Sequence, residues 1–98
     1  MYTIELTSEA EDDLKWFDRR DRNIIVDGIK TNLSYQPTVM TMNRKPCRDD
    51  GTKIADWELR IGVYRVYYNV EEQVRVVAIE RIGEKPNNTV FFRGQQEE

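Results

Sequence analysis

Arg60, Arg65 and Arg81 are the residues of this chain best suited to hold an anion, and the apolar pattern around them sets all three on one side of a sheet. In Trp57-Glu58-Leu59-Arg60-Ile61 the apolar side chains alternate, and the series Tyr64, Val66, Tyr68 and Val70 continues the alternation. That period of two marks half-buried strands. Gly62-Val63, between the two runs, has the chemistry of a two-residue hairpin turn, because Gly accepts the positive φ needed at its first position. Such a turn pairs Ile61 with Tyr64, Arg60 with Arg65, Leu59 with Val66, Glu58 with Tyr67 and Trp57 with Tyr68. A second turn at Glu71-Glu72-Gln73 would place Val70 opposite Val74, Tyr68 opposite Val76, Tyr67 opposite Val77 and Arg65 opposite Ile79, with Arg81 on the Arg65 side. A one-residue slip would set Tyr68 against Arg75 and mix the faces, so the hydrophobic pattern selects this register.

Two arginines directly across an antiparallel pair repel unless an anion or an acidic side chain sits between them. Glu58, two residues from Arg60, is placed to supply that counter-charge. Two readings therefore stand side by side: a solvated polar face with internal ion pairs, or a site for phosphate or carboxylate groups, which the planar guanidinium fork suits. Arg44, Lys45, Arg48 and Lys53 give the preceding stretch a basic bias with the same two readings, a solvated loop or a basic wall beside the open face.

Composition narrows the chemistry. There is no histidine and one cysteine, Cys47. Imidazole acid–base chemistry, Ser-His-Asp and Cys-His mechanisms, internal disulfides and His- or Cys-rich metal sites are excluded. The acidic pairs Asp12-Asp13, Asp49-Asp50 and Glu71-Glu72 read as helix-surface and turn residues rather than convergent ligands, so no metal is expected. No run is long and apolar enough to span a bilayer and no basic-then-apolar leader opens the chain, so a cytoplasmic protein with no membrane partner is expected. The net charge of −3 argues against indiscriminate nucleic-acid binding. The negative excess is uneven: residues 1 to 35 carry eight acids and five bases, whereas 36 to 96 carry eight acids and ten bases.

The elements that must position the arginines follow in order. Tyr2 to Leu6 alternates as a short strand with Tyr2, Ile4 and Leu6 on one side. Ser8-Glu9-Ala10-Glu11 reads as a capping box that starts a helix with Ala10, Leu14 and Phe17 on its inner face. A turn is expected near Arg19 to Arg22. A second helix then carries Ile25, Ile29 and Leu33, with Gly28 where a neighbour can approach closely and Pro37 at or just beyond its end. Gln36 to Ile54 is less regular; Asp50-Gly51 signals a turn, and the length of the stretch implies a hidden short strand or hairpin. Ile82-Gly83 ends the last strand, and a Val90-Phe91-Phe92 cluster seals an edge of the core. Together these give one α+β domain over residues 1–98, with two N-terminal helices on one face of a twisted, mainly antiparallel sheet of about four strands.

The order strand, two helices, three-stranded meander, with Trp57 to Tyr68 reading WELRIGVYRVYY and the closing Ile82-Gly83-Glu84-Lys85, resembles the RelE/ParE superfamily of bacterial toxins over nearly the whole chain. The resemblance implies a RelE-like fold and the toxin of a type II toxin–antitoxin pair, with a small antitoxin as partner and no cofactor. RelE-like members cut messenger RNA in the ribosomal A site, and ParE-like members poison DNA gyrase; a catalytically weak antitoxin-binding module is the third possibility. Carried over residue by residue, Arg65 matches the arginine at the scissile phosphate, Lys85 the second basic residue after the final strand, and Arg60 an additional basic position. Arg60, Arg81, Arg44 and Lys45 would steer RNA. The chain departs from the pattern where lysines are usual, at Asp56 and Glu58, and where a C-terminal tyrosine is usual, at Phe91, which has no proton to transfer. Tyr67 beside Arg65, its phenolate favoured by the guanidinium, and Glu58 as base are the replacements the sequence offers.

Overall fold

The computed structural model describes residues 1–49, 51 and 53–96; Asp50 of the expected Asp50-Gly51 turn lies outside them. The elements run β1 (Thr3–Leu6), α1 (Ser8–Trp16), α2 (Arg19–Leu33), β2 (Arg44–Pro46), β3 (Trp57–Ile61), β4 (Tyr64–Glu71), β5 (Val76–Glu84), β6 (Phe91–Phe92) and β7 (Gln95–Gln96). The sheet is antiparallel in the order β2-β3-β4-β5-β6-β7, with β1 added parallel to β5. It therefore has more strands than the four expected, the additions being the short β2, hidden in the irregular stretch, and the two-residue β6 and β7.

Each helix begins on a side chain that satisfies an orphan amide. The cap of α1 is Thr7 rather than Ser8: the Thr7 hydroxyl accepts from the Ala10 amide and donates to the Glu80 carbonyl, which ties the helix start to β5. Asp18 caps α2 by accepting from the Asp21 amide, so Arg19 to Arg22 form the first helical turn instead of a loop. Ala10, Phe17, Ile25, Ile29 and Leu33 bury their stripe against Leu59, Val66, Tyr68, Val77, Ile79 and Ile82. This is the main core. No helix among the described residues is long and apolar enough to cross a membrane.

The β3–β4 hairpin has the expected register, from Ile61 opposite Tyr64 to Trp57 opposite Tyr68, and Gly62 takes a φ of 58° in its turn. The β4–β5 register differs from expectation. Its turn holds Glu72 to Arg75, with Arg75 at a φ of 54°, so Glu71 faces Val76 and Val70 faces Val77. A bulge between Tyr67 and Tyr68 then sets Tyr68 against Ile79 but Tyr67 against Arg81, and Arg65 against Gly83. The extra residue reverses the alternation of β5, so Val77, Ile79 and Ile82 all reach the helical core. A strict period of two cannot place all three inside.

Gly83 and Gly28 are both sites of close approach, with different consequences. A Cβ on Gly83 would lie 2.5 Å from the Phe91 carbonyl oxygen, which is backbone, and 2.8 Å from the Phe92 ring. Gly83→Ala is expected to push β6 off β5 and cost about 1–3 kcal/mol, read from the urea midpoint. A Cβ on Gly28 would meet the far end of the Ile61 side chain at 2.5 Å. Since Ile61 is a partly buried side chain able to shift, Gly28→Ala should cost less.

Candidate functional site

The sheet face opposite the helices carries Glu58, Arg60, Arg65 and Tyr67, but it is not bare. A second apolar cluster of Ala55, Tyr67 and Phe92, with Cys47, Ile54 and Val90 packed against it, covers part of that face. Arg60 and Arg65 are direct cross-strand partners. Glu58 is engaged with Lys45 and Tyr67 rather than set between them. Arg65 is only 7% exposed and turns its Nη1 onto the carbonyls of Gly62 (2.7 Å) and Tyr64 (2.9 Å), while Arg60 stays exposed. Lys85 comes to the same end of the sheet, because its amide bonds the Val63 carbonyl at 2.8 Å.

Glu58 instead joins Tyr67 and Lys45. The carboxylate lies 3.6 Å from Lys45 Nζ across the β2–β3 pair and accepts from the Tyr67 hydroxyl. A hollow of about 450 Å³, lined by Lys45, Pro46, Cys47, Arg48 and Glu58, opens beside this pair. Burial above all, then the Glu58 charge and hydrogen bond, push the Tyr67 phenol far above its ordinary value; Arg65 opposes the shift but loses. The expected phenolate is therefore corrected: Tyr67 is a neutral phenol, able to give a proton but not to take one. Burial also raises the Cys47 thiol, helped by Glu58, so it is no thiolate nucleophile at neutral pH.

Tyr64 and Tyr68 are shifted in the same direction. Burial and the Asp21 carboxylate, which accepts from Tyr64 Oη at 2.5 Å, raise Tyr64 to about 12, and burial raises Tyr68 further. A folded-state value above the unfolded one means the native chain holds more protons in the interval. Stability is then complete below about pH 10 and is lost as pH climbs toward and past 12. In absorbance titration at 295 nm, the signals of Tyr64, Tyr67 and Tyr68 should emerge only with alkaline unfolding, followed in parallel by circular dichroism.

Two arginines expected to meet RNA are held by the protein. Arg44 is buried, donating from Nε to the Val39 carbonyl (2.9 Å) and from Nη1 to the Asn32 carbonyl (2.7 Å), which fixes the loop after α2. Arg81, in place of the expected Val77, is paired with Tyr67, and its guanidinium ends on Asp13 of α1, at 2.7 Å from Nε and 3.0 Å from Nη2. Asp13 is fully buried and also accepts from the Ile82 amide (2.9 Å) and Arg93 Nε (3.0 Å). It closes the stretch of β5 between its pairings with β1 and β6. Lys45 stays exposed. Among the described residues no group of three or more His, Cys, Asp or Glu side chains is placed to hold a metal.

No family model matches the sequence, and no curated protein matches it. Solved structures do. A chain of the toxin–antitoxin complex RelBE2 from Mycobacterium tuberculosis is 26% identical, covering 85% of this chain and 96% of its own, with a TM-score of 0.70. A chain of the archaeal RelE–RelB complex from Pyrococcus horikoshii OT3 is 18% identical over 88% of this chain and 97% of its own, with a TM-score of 0.64. The first carries a sequence likeness as well as the fold; the second carries the fold. With two helices on a mostly antiparallel sheet and these neighbours over nearly their full length, the chain is RelE-like.

Proposed function

We propose that this chain is the toxin of a type II toxin–antitoxin module and acts as a metal-independent, ribosome-dependent messenger-RNA endoribonuclease of the cytoplasm. What supports the reading is that Arg65, Tyr67 and Glu58 lie on one face of the β3–β4 hairpin, with the Lys85 amide on its turn, and that Tyr67 is a neutral phenol donating to Glu58. Cleavage by transesterification moves one proton off the 2′-hydroxyl and one onto the leaving 5′-oxygen. Glu58 takes the first as its carboxylate, and neutral Tyr67 gives the second. Because the phenol already donates to the carboxylate, the proton returns from Glu58 to Tyr67 after the cut. Arg65 and Lys85 stabilise charge developing on the phosphoryl oxygens, which needs no metal. The antitoxin complexes of the structural neighbours support a small protein partner for this chain too.

The test is a programmed-ribosome assay in which RNA ends are mapped after the purified chain is added. Cuts within A-site codons, with naked RNA left intact, are expected. The inward turn of Arg65 favours a second reading, an antitoxin-binding module without cleavage, and intact messenger in both samples with retained antitoxin binding would establish it. DNA-damage signalling in expressing cells without messenger cleavage would move the assignment to a gyrase inhibitor.

A further inference from the structure

A second hollow, of about 370 Å³, is lined by Arg81, Phe92, Arg93, Gln95 and Gln96. Its construction is unusual. Arg93 and Gly94 form the two-residue β6–β7 turn with φ of 51° and 76°, and an arginine at the first of these positions takes a backbone conformation that Asn or Gly adopts more readily. The strained position is stabilised by Arg93 Nε on Asp13 and Nη2 on Glu9 at 2.8 Å. Arg81 lies over the Phe92 ring at 4.1 Å and shares the Asp13 carboxylate. One fully buried carboxylate is thus shared by two guanidiniums, and Glu9, an exposed residue, contacts both. Gln95 is the cross-strand partner of Phe92 and puts a carboxamide next to the cations. Cations beside a group that both donates and accepts match a nucleotide, whose phosphate and base edge need both; an acidic side chain would use the cations alone.

We infer that this hollow is a subsite for one nucleotide of single-stranded RNA, with the phosphate on Arg93 in the field of Arg81 and the base edge on Gln95. The inference rests on the proposed function, since Phe92 touches Tyr67 with ring centroids 5.9 Å apart and so places the subsite one ring from the proposed acid. Glu9 competes with the phosphate for Arg93. Removing its charge therefore tightens binding, whereas a residue that only clamped the turn would loosen it on neutralisation.

The experiment is fluorescence anisotropy of labelled single-stranded 2′-O-methyl RNA hexamers, which lack the nucleophile for cleavage, at fixed ionic strength. Glu9→Gln is expected to tighten binding about threefold, and Gln95→Ala to weaken it about fivefold while changing the order of affinity among hexamers that differ in one base. Unchanged or weaker binding by Glu9→Gln, with its melting temperature intact, would overturn the subsite. So would Gln95→Ala binding like wild type, including the case in which an oligo-aspartate displaces the RNA fully. If Glu9→Gln melts early, Gln95→Ala decides alone. Failure of the proposed function looks different: a chain with these binding responses that leaves programmed messenger uncut keeps the subsite and loses the cleavage.

Discussion

Asp13→Ala is expected to destabilise the chain by about 3–5 kcal/mol and lower its melting temperature by more than about 10 °C. The carboxylate is fully buried and receives four hydrogen bonds, two from Arg81, one from Arg93 and one from the Ile82 amide. Removing it leaves a buried backbone donor unpaired and leaves two guanidiniums together beside the exposed Glu9 in place of a buried carboxylate. The loss also has a direction in space. Arg93 is tied to α1 through Asp13, and Phe92 precedes Arg93, so β6 and β7 should detach first and uncover Tyr67. Hydrogen exchange should therefore rise in residues 89 to 96 before it rises in β3 and β4. Arg93→Ala leaves Asp13 with three of its four bonds, and a cost near 1 kcal/mol is expected from calorimetry.

That carboxylate shows what the sequence revealed and what it concealed. The β3–β4 hairpin was legible residue by residue because Gly62 and an unbroken alternation specify one register. The two helical stripes were legible for the same reason, and Gly28 marks a real close approach. Asp13 carries a signal in the sequence: it occupies the same helical stripe as Ala10, Leu14 and Phe17, where a charged residue must have a buried partner, although its neighbour Asp12 gives the pair the character of a helix surface. The β4–β5 register was not legible, since a bulge changes the parity of a strand without changing its composition. The covering of Tyr67 by Ala55 and Phe92 was equally hidden, because it joins segments far apart in the chain. This burial, more than the adjacent arginine, decides that Tyr67 is a neutral phenol.

Arg65→Ala is expected to slow messenger cleavage by about 10²–10³-fold in the programmed-ribosome assay while lowering stability only modestly. The two effects separate because the observed contacts of the guanidinium serve the turn, whereas the proposed reaction uses its charge. Nη1 holds the Gly62 and Tyr64 carbonyls, so its loss costs the hairpin turn on the order of 1 kcal/mol, a melting shift of several degrees. In the proposed reaction the positive charge would act on the phosphate in its pentavalent state, a contribution that is largest in a site shielded from water. Arg65→Lys keeps the charge but not the fork, so partial recovery of rate with the stability of the alanine variant identifies the charge as the active property. A variant that keeps the wild-type rate removes Arg65 from the chemistry and leaves it a turn brace. Tyr67→Phe supplies the matching result for the acid: it keeps the packing against Phe92 but deletes the proton, so it should lose rate without losing the fold. A rate loss in both variants with folding intact would mean that two residues of β4, charge from Arg65 and proton from Tyr67, replace the lysines and tyrosine for which this chain has Asp56, Glu58 and Phe91.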